Sequence, residues 1–275
     1  MLNIQELISL RTDIFDGKKV KLVRHKDSRI EYRDVIKDRP KLIEYQKEQK
    51  SDVFGKTDYL VSFIGQESTK SLLFGFFKVG YVEQRENGKF YYELEELNVC
   101  QELNVCQELI DRVIIDWGKS TRSWHQDYKK HKKEVLEILP KGYLGEFPGL
   151  TNFILEYNEL KRLFENPDAN RDWKNHLSSV NGIYMILDKS TGNQYIGSAC
   201  GKAGIWQRWN DYAKTKHGGN QLLIDLHSTD SDYQRNFQFT ILQTLPSNLT
   251  SKEVTNIESL YKKKFGTRFH GLNKN

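Results

Sequence analysis

The sequence predicts a mixed α/β protein of the α+β kind, with a strand-rich first half and a smaller C-terminal domain built on a three-stranded antiparallel sheet flanked by helices. Three observations predict it. Runs rich in Val, Ile, Phe and Tyr, separated by Gly, Asn and Ser, fill residues 58–118 and read as strands with short turns. The pattern turns helical over Leu150–Asn166, and Pro167 stops it. Beyond a polar connector, a strand–turn–strand signal is followed by helix, helix, strand and helix.

In order along the first half, Asn3–Arg11 has helical spacing, Lys18–Arg24 alternates like a strand, and Arg39–Gln49 reads as a helix. Strands follow at Asp58–Gly65, Leu72–Val82, Lys89–Leu97 and Arg112–Gly118. Several strands joined by short turns suggest a small barrel or curled sheet. The hexapeptide ELNVCQ occurs twice in succession over Glu96–Gln107. Six residues preserve the sidedness of a strand and lose the face of a helix, so the repeat is expected at a strand or its adjoining loop.

The domain boundary is placed in the polar stretch Asp168–Ser178, which gives a strand-rich domain over 1–149, a helical linker over 150–178 and a last domain over 179–275. In that last domain Gly182–Leu187 and Gln194–Ala199 are strands joined by the turn Asp188–Asn193. Ile205–Lys216 and Asn220–His227 are helices, and Phe237–Leu242 is the third strand. Thr250 or Ser251 caps a helix that runs to Phe265.

Hydrophobic residues make up 37% and charged residues 29%, which excludes a disordered chain. No apolar run approaches the roughly 18 residues of a membrane span. The polar start lacks the layout of a secretory signal, so a cytoplasmic protein is expected, without membrane contact. Cys100, Cys106 and Cys200 form no CxxC pair and are read as free thiols, not zinc ligands. Residues 1–178 hold 30 Lys+Arg and 30 Asp+Glu, whereas residues 179–275 hold 12 against 7. The C-terminal third therefore carries the whole excess of +5, the balance of a segment that approaches phosphates.

Gly182-Ile183-Tyr184 and Tyr195-Ile196-Gly197 are spaced for a hairpin, and Arg208, Glu258 and Asn273 follow in order. These five elements resemble the GIY-YIG nuclease superfamily, over about a third of the chain. Tyr212–Asn220 and Phe265–Asn275 resemble a bacterial subgroup that carries an extra N-terminal domain. The resemblance implies a metal-dependent endonuclease that hydrolyses phosphodiester bonds in DNA with Mg²⁺ or Mn²⁺. It makes Tyr195 the general base and Tyr184 its hydrogen-bonding partner. Some relatives, certain restriction enzymes among them, carry histidine where this chain has Tyr212. The tyrosine resembles instead the incision subunit of bacterial excision repair, and leaves open whether Tyr212 binds phosphate or shares the proton transfer.

The residue types suit that chemistry on their own account. Phosphodiester hydrolysis needs a water, a proton acceptor, and positive charge on the phosphate and leaving oxygen. Tyr184 and Tyr195 lie on neighbouring strands, where their hydroxyls can converge. An ordinary tyrosine near pKa 10 is a poor base without positive charge beside it, which a metal and Arg208 supply. Arg208 and Tyr212 are four apart and share a helix face. Glu258 falls inside the apolar stripe of Val254, Ile257, Tyr261 and Phe265, whereas Lys262, Lys263 and Lys264 fall mostly away from it. A carboxylate there must be paired or metal-bound, and one carboxylate plus waters and phosphate oxygens suits Mg²⁺. Asn273 orients Glu258 or the sheet, or is a plain turn residue. Lys214, Lys216, His217 and Arg268 are read as DNA contacts. Trp206 and Trp209 are read as core. The expected site is one cluster of two hairpin phenols, a guanidinium and a carboxylate around one scissile group.

The strands of the first half loosely resemble PUA-like barrels that read modified bases or RNA, with Trp117 and Trp124 either core or walls of a base pocket. Restriction or phage defence is the setting this implies. The rival readings are a non-cleaving DNA-binding protein with a nuclease fold and a structure-specific repair nuclease. A monomer carries one active centre, so a double-strand cut requires a dimer or sequential nicking.

Overall fold

The computed structural model describes residues 1–26, 35, 38–97, 104–120 and 122–274. The chain forms two compact units, Met1–Pro140 and Lys141–Asn275.

In the first unit, eight strands make one sheet among the described residues: β1 Val20–His25, β2 Glu48–Gln49, β3 Tyr59–Gly65, β4 Lys70–Gln84, β5 Phe90–Glu96, β6 Val113–Asp116, β7 His125–Asp127 and β8 Val135–Ile138. The path runs β2-β5-β4-β3-β1-β7, with β6 on β4 and β8 on β6. β4 is 15 residues long, and its register with β5 shifts between Val79 and Val82. Such an irregularity bends a strand and raises its twist. β5 and β6 pair with opposite ends of β4, which curls the sheet into a half-barrel.

Both sheet faces are buried. Ile4, Leu22, Phe63, Phe76 and Trp117 pack on one side, and Val23, Leu42, Phe54, Phe77 and Tyr92 on the other. This two-sided burial is why the strands read as nearly continuous hydrophobic runs. Helix α1, Ile4–Ser9, is capped by Asn3 in a reciprocal box with Glu6, and α2 spans Arg39–Lys47 with Asp38 as its cap. Of the ELNVCQ repeat, residues 98–103, Cys100 among them, lie outside the described residues. Its second copy falls in the connection between β5 and β6, the adjoining-loop alternative, where Asn104–Gln107 makes one helical turn, α3, with Cys106 buried. Trp117 is fully enclosed and donates to the Ser123 carbonyl at 3.0 Å, which settles it as core.

In the second unit the sheet order is β11-β10-β12-β9, with β9 Leu155–Glu156, β10 Asn181–Asp188, β11 Gln194–Ala199 and β12 Phe237–Leu245, all antiparallel. The three expected strands gain a two-residue fourth. The stretch 150–178, expected as a linker, lies inside this unit. It forms β9, α4 Tyr157–Glu165 and α5 Arg171–Ser178, because Leu160, Leu163, Trp173 and Leu177 bury into the same core as the sheet. Helices α6 Gly204–Thr215, α7 Gln221–Thr229 and α8 Ser251–Phe265 complete it.

Strand alternation gives the sheet two cores. Tyr184, Ile186, Tyr195, Phe239 and Ile241 face α4 to α6, whereas Ile183, Ile196 and Leu245 face Val254 on α8. A register shift on β12 between the partners of Ile183 and Tyr184 passes over Leu242. Phe265, expected in the buried stripe of α8, is 45% exposed, so the last turn overhangs the core. Among the described residues no helix is long and apolar enough to cross a membrane.

Candidate active site

The hairpin of β10 and β11 aligns Tyr184 with Gly197 and Ile186 with Tyr195. Both tyrosines therefore rise from one face of adjacent strands. Gly197 has a physical reason to be glycine, since a Cβ there would lie 2.4 Å from the Tyr184 hydroxyl. The Tyr184 phenol thus lies flat over bare backbone of β11, the edge strand.

Arg208 on α6 organises the cluster. Its Nε donates to the Tyr184 hydroxyl at 3.0 Å, one terminal nitrogen to the Gly218 carbonyl at 2.9 Å and the other to the Tyr212 hydroxyl at 3.2 Å. The Tyr184 and Tyr212 hydroxyls are 3.1 Å apart. Gly218, at φ +55°, passes so close to Tyr212 that a Cβ would lie 2.5 Å from its ring. Three of the five guanidinium N–H groups are spent inside the protein, which leaves two for a ligand.

Tyr184 and Tyr212 are fully enclosed. Burial, joined by the neighbouring Tyr195 oxygen, pushes the Tyr184 hydroxyl well above the ordinary tyrosine range, against the pull of Arg208. Burial and the other two tyrosines do the same to Tyr212. Burial opposes the charge of Arg208, but the surrounding phenol oxygens outweigh it and hold the guanidinium charged. Tyr195 keeps 9% of its surface exposed, and its ring centroid lies 6.3 Å from that of Tyr184. Its hydroxyl hydrogen-bonds to neither Tyr184 nor any other group among the described residues. The expected Tyr184–Tyr195 hydrogen bond is thus replaced by the Tyr184–Tyr212–Arg208 triad, and Tyr195 is the phenol left open.

Glu258 stands elsewhere. One of its oxygens accepts from the Ser198 hydroxyl, and the other pairs with the Lys262 ammonium at 2.6 Å. Ser198 follows Gly197, so it points to the opposite face of β11, toward α8. The phenols and guanidinium share one face of the edge strand, and the carboxylate sits against the other. Lys262, expected to point away, is as enclosed as Glu258, with side chains 12% and 15% exposed. Spacing of i, i+4 on one helix accounts for the pair. Ser198 and Lys262 are the neighbours that sequence reasoning missed.

Asn273 acts on the sheet. Its side-chain oxygen accepts from the Ile196 N–H at 2.9 Å and its amide donates to the Ile196 carbonyl at 2.8 Å. The Leu272 N–H reaches the Gln194 carbonyl at 2.9 Å. The tail thereby stands in for a strand along the outer edge of β11. Of the expected DNA contacts, Lys214 and Arg268 are exposed. Lys216 caps α6 in the left-handed conformation and donates to the Ser231 carbonyl at 2.9 Å, while His217 accepts from the Gly219 N–H at 3.0 Å. Trp209 is fully enclosed, and half-buried Trp206 packs on Phe164, so both belong to the core side.

Two solved structures are similar to part of this chain. The chain is similar to the catalytic domain of I-TevI. A mutant form of that domain, from the intron endonuclease I-TevI, is 21% identical, covering 35% of this chain and 94% of its own, with a TM-score of 0.28. The catalytic domain of the homing endonuclease I-TevI is 22% identical, covering 34% and 96%, with a TM-score of 0.27. No protein-family model and no curated protein matches the sequence.

For a divalent cation, no group of three or more His, Cys, Asp or Glu gathers among the described residues. The donors near Glu258 are one carboxylate and the Ser198 hydroxyl, both hard oxygens. That set fits Mg²⁺ or Mn²⁺, which keep most of their waters and need few protein ligands. Lys262 now holds the oxygen such a cation would take.

Proposed function

We propose that the second unit is a divalent-metal-dependent endonuclease that hydrolyses phosphodiester bonds in DNA. One observation carries this reading. A half-buried guanidinium is braced by Tyr184, Tyr212 and Gly218 with two N–H groups unspent, beside the phenol of the cluster, Tyr195, that has no hydrogen-bond partner among the described residues.

The scissile phosphate lies at the edge of β11. The free Arg208 N–H groups hold its non-bridging oxygens and stabilise the charge that builds in the transition state. As the general base, the Tyr195 oxygen takes a proton from a water. That water forms the new P–O bond as the opposite bond to the 3′ oxygen breaks. Tyr184 and Tyr212, both held protonated by burial, orient Arg208 and transfer no proton. Glu258, on the far side of the strand, would hold the cation, and a cation there supplies positive charge for the leaving oxygen. Asn273 keeps β11 in place. Lys214 and Arg268 are exposed and serve phosphate steering.

Plasmid nicking with Mg²⁺ or with EDTA, for the wild type and for Glu258→Ala, tests the reading. Cutting that needs Mg²⁺ and is lost in the variant supports it. Binding without cutting by both proteins supports a non-cleaving DNA-binding protein instead. Modified phage DNA beside plain plasmid then separates restriction from general repair.

A further inference from the structure

The first unit contains a cleft of about 1080 Å³ bounded by β1, α2, β2, β5 and the start of β7. Its lining is unlike the unit as a whole. Residues 1–140 carry 25 Lys+Arg against 24 Asp+Glu, a net charge of +1. Among the described residues the cleft is lined by seven Lys and Arg against two carboxylates, Glu44 and Glu48.

The two carboxylates are already engaged. Glu48 pairs with Lys89 at 2.5 Å and Arg85 at 3.4 Å. Glu44 accepts from the Tyr91 hydroxyl at 2.6 Å and pairs with Lys47 at 3.2 Å. Arg122 and Lys50 pair with no carboxylate among the described residues. Both are exposed.

Aromatic rings interleave with these cations. The Arg85 guanidinium sits 3.8 Å above the Tyr91 ring. Trp124 is half-buried, held edge-on by Phe54 and His125. Tyr45 is 38% exposed beside His25. His25 is enclosed and hydrogen-bonded to Gln46 at 2.6 Å, and burial keeps its ring neutral, pushed down to about 4.

A free phosphate or a polyanion without rings has no use for these aromatics. A duplex keeps its base faces stacked internally. An unpaired nucleotide offers both a planar face for the rings and a phosphate for the cations. The volume is just above that of most ligand sites, roughly 300–1,000 Å³, and takes more than one nucleotide.

We propose that this cleft binds an unpaired stretch of DNA, stacking bases on Trp124 and Tyr91 and gathering phosphates on Arg122 and Lys50. The site is separate from the cluster around Arg208, and it stands whether or not the second unit cleaves.

The test uses the full chain in EDTA and a fluorescein-labelled single strand of about 12 nucleotides, within the usual site size. Anisotropy gives the dissociation constant against salt. Arg122→Glu with Lys50→Glu is expected to weaken binding about tenfold or more and to flatten the salt slope. Trp124→Ala is expected to weaken it about fivefold or more. Arg171→Glu with Lys174→Glu, exposed on α5 of the second unit, leaves the single-strand affinity of the cleft in place. Crosslinking of an iodouracil-substituted strand is expected to map to Tyr91 or Trp124, a readout that does not depend on how the variants fold. The proposal is overturned by no single-strand binding, by equal affinity for the matching duplex or for polyglutamate, or by crosslinks confined to residues 141–275.

Discussion

Substituting Gly197 with alanine puts the tyrosine–arginine cluster under direct strain. The new methyl would lie 2.4 Å from the Tyr184 hydroxyl oxygen and 2.5 Å from the ring carbon that carries it. Tyr184 cannot simply swing aside. It is fully enclosed, and its hydroxyl is fixed by Arg208 at 3.0 Å and Tyr212 at 3.1 Å. Overpacking a tight site costs about 1–3 kcal/mol. Loss of a hydrogen bond to a charged partner adds about 1.5–3 kcal/mol. Part of that second cost is spared if the phenol shifts with Arg208, so the expected loss is about 2–4 kcal/mol. Urea unfolding of the wild type, Gly197→Ala, Tyr184→Leu and the double variant measures it. Leucine removes the ring, so Gly197→Ala is expected to cost markedly less in the Tyr184→Leu background, a coupling of about 1 kcal/mol or more. An unchanged unfolding midpoint in Gly197→Ala, or additive costs in the double variant, refutes the reasoning.

Three further outcomes follow from the same contacts. Arg208→Lys keeps the charge but cannot span Tyr184, Tyr212 and Gly218 together, so single-turnover cleavage is expected to fall about 10²-fold or more. Asn273→Ala strands the N–H and carbonyl of Ile196, and is expected to cost about 2–4 kcal/mol and to speed amide hydrogen exchange at Ile196. His25 binds its proton more weakly folded, at about 4, than unfolded, near 6.5. The unfolded state therefore holds the extra proton between those values. Stability from the neutral ring is full above pH 6.5 and is lost as pH falls toward 4, on the order of 3 kcal/mol, and His25→Gln is expected to flatten that part of the pH–stability curve.

Much of the second unit was legible because its signals are local. The two half-motifs mark the hairpin, and the apolar stripe of α8 marks Glu258 as enclosed. Helix α5 was missed because only Trp173 and Leu177, one turn apart, carry its buried face, and the other residues read as a polar connector. Strands β2 and β9 are two residues each, too short for any period to show. The two-sided site follows from a rule already in hand. Alternation along β11 separates Tyr195 and Gly197 from Ile196 and Ser198, and so places Glu258 opposite the phenols. The Glu258–Lys262 pair likewise follows from helix spacing. Asn273 is different, because its partner is 77 residues away and nothing local announces it. In the first unit the strands were readable, but the gathering of like charge in the cleft arises only when distant segments meet.

The most direct test of the proposed chemistry is the single-turnover rate of plasmid nicking in Mg²⁺ by Tyr195→Phe, with DNA affinity and the unfolding curve measured beside it. Removal of a general base is expected to lower the rate about 10²- to 10⁴-fold with affinity and stability unchanged. Nicking by Tyr195→Phe at the wild-type rate contradicts the account.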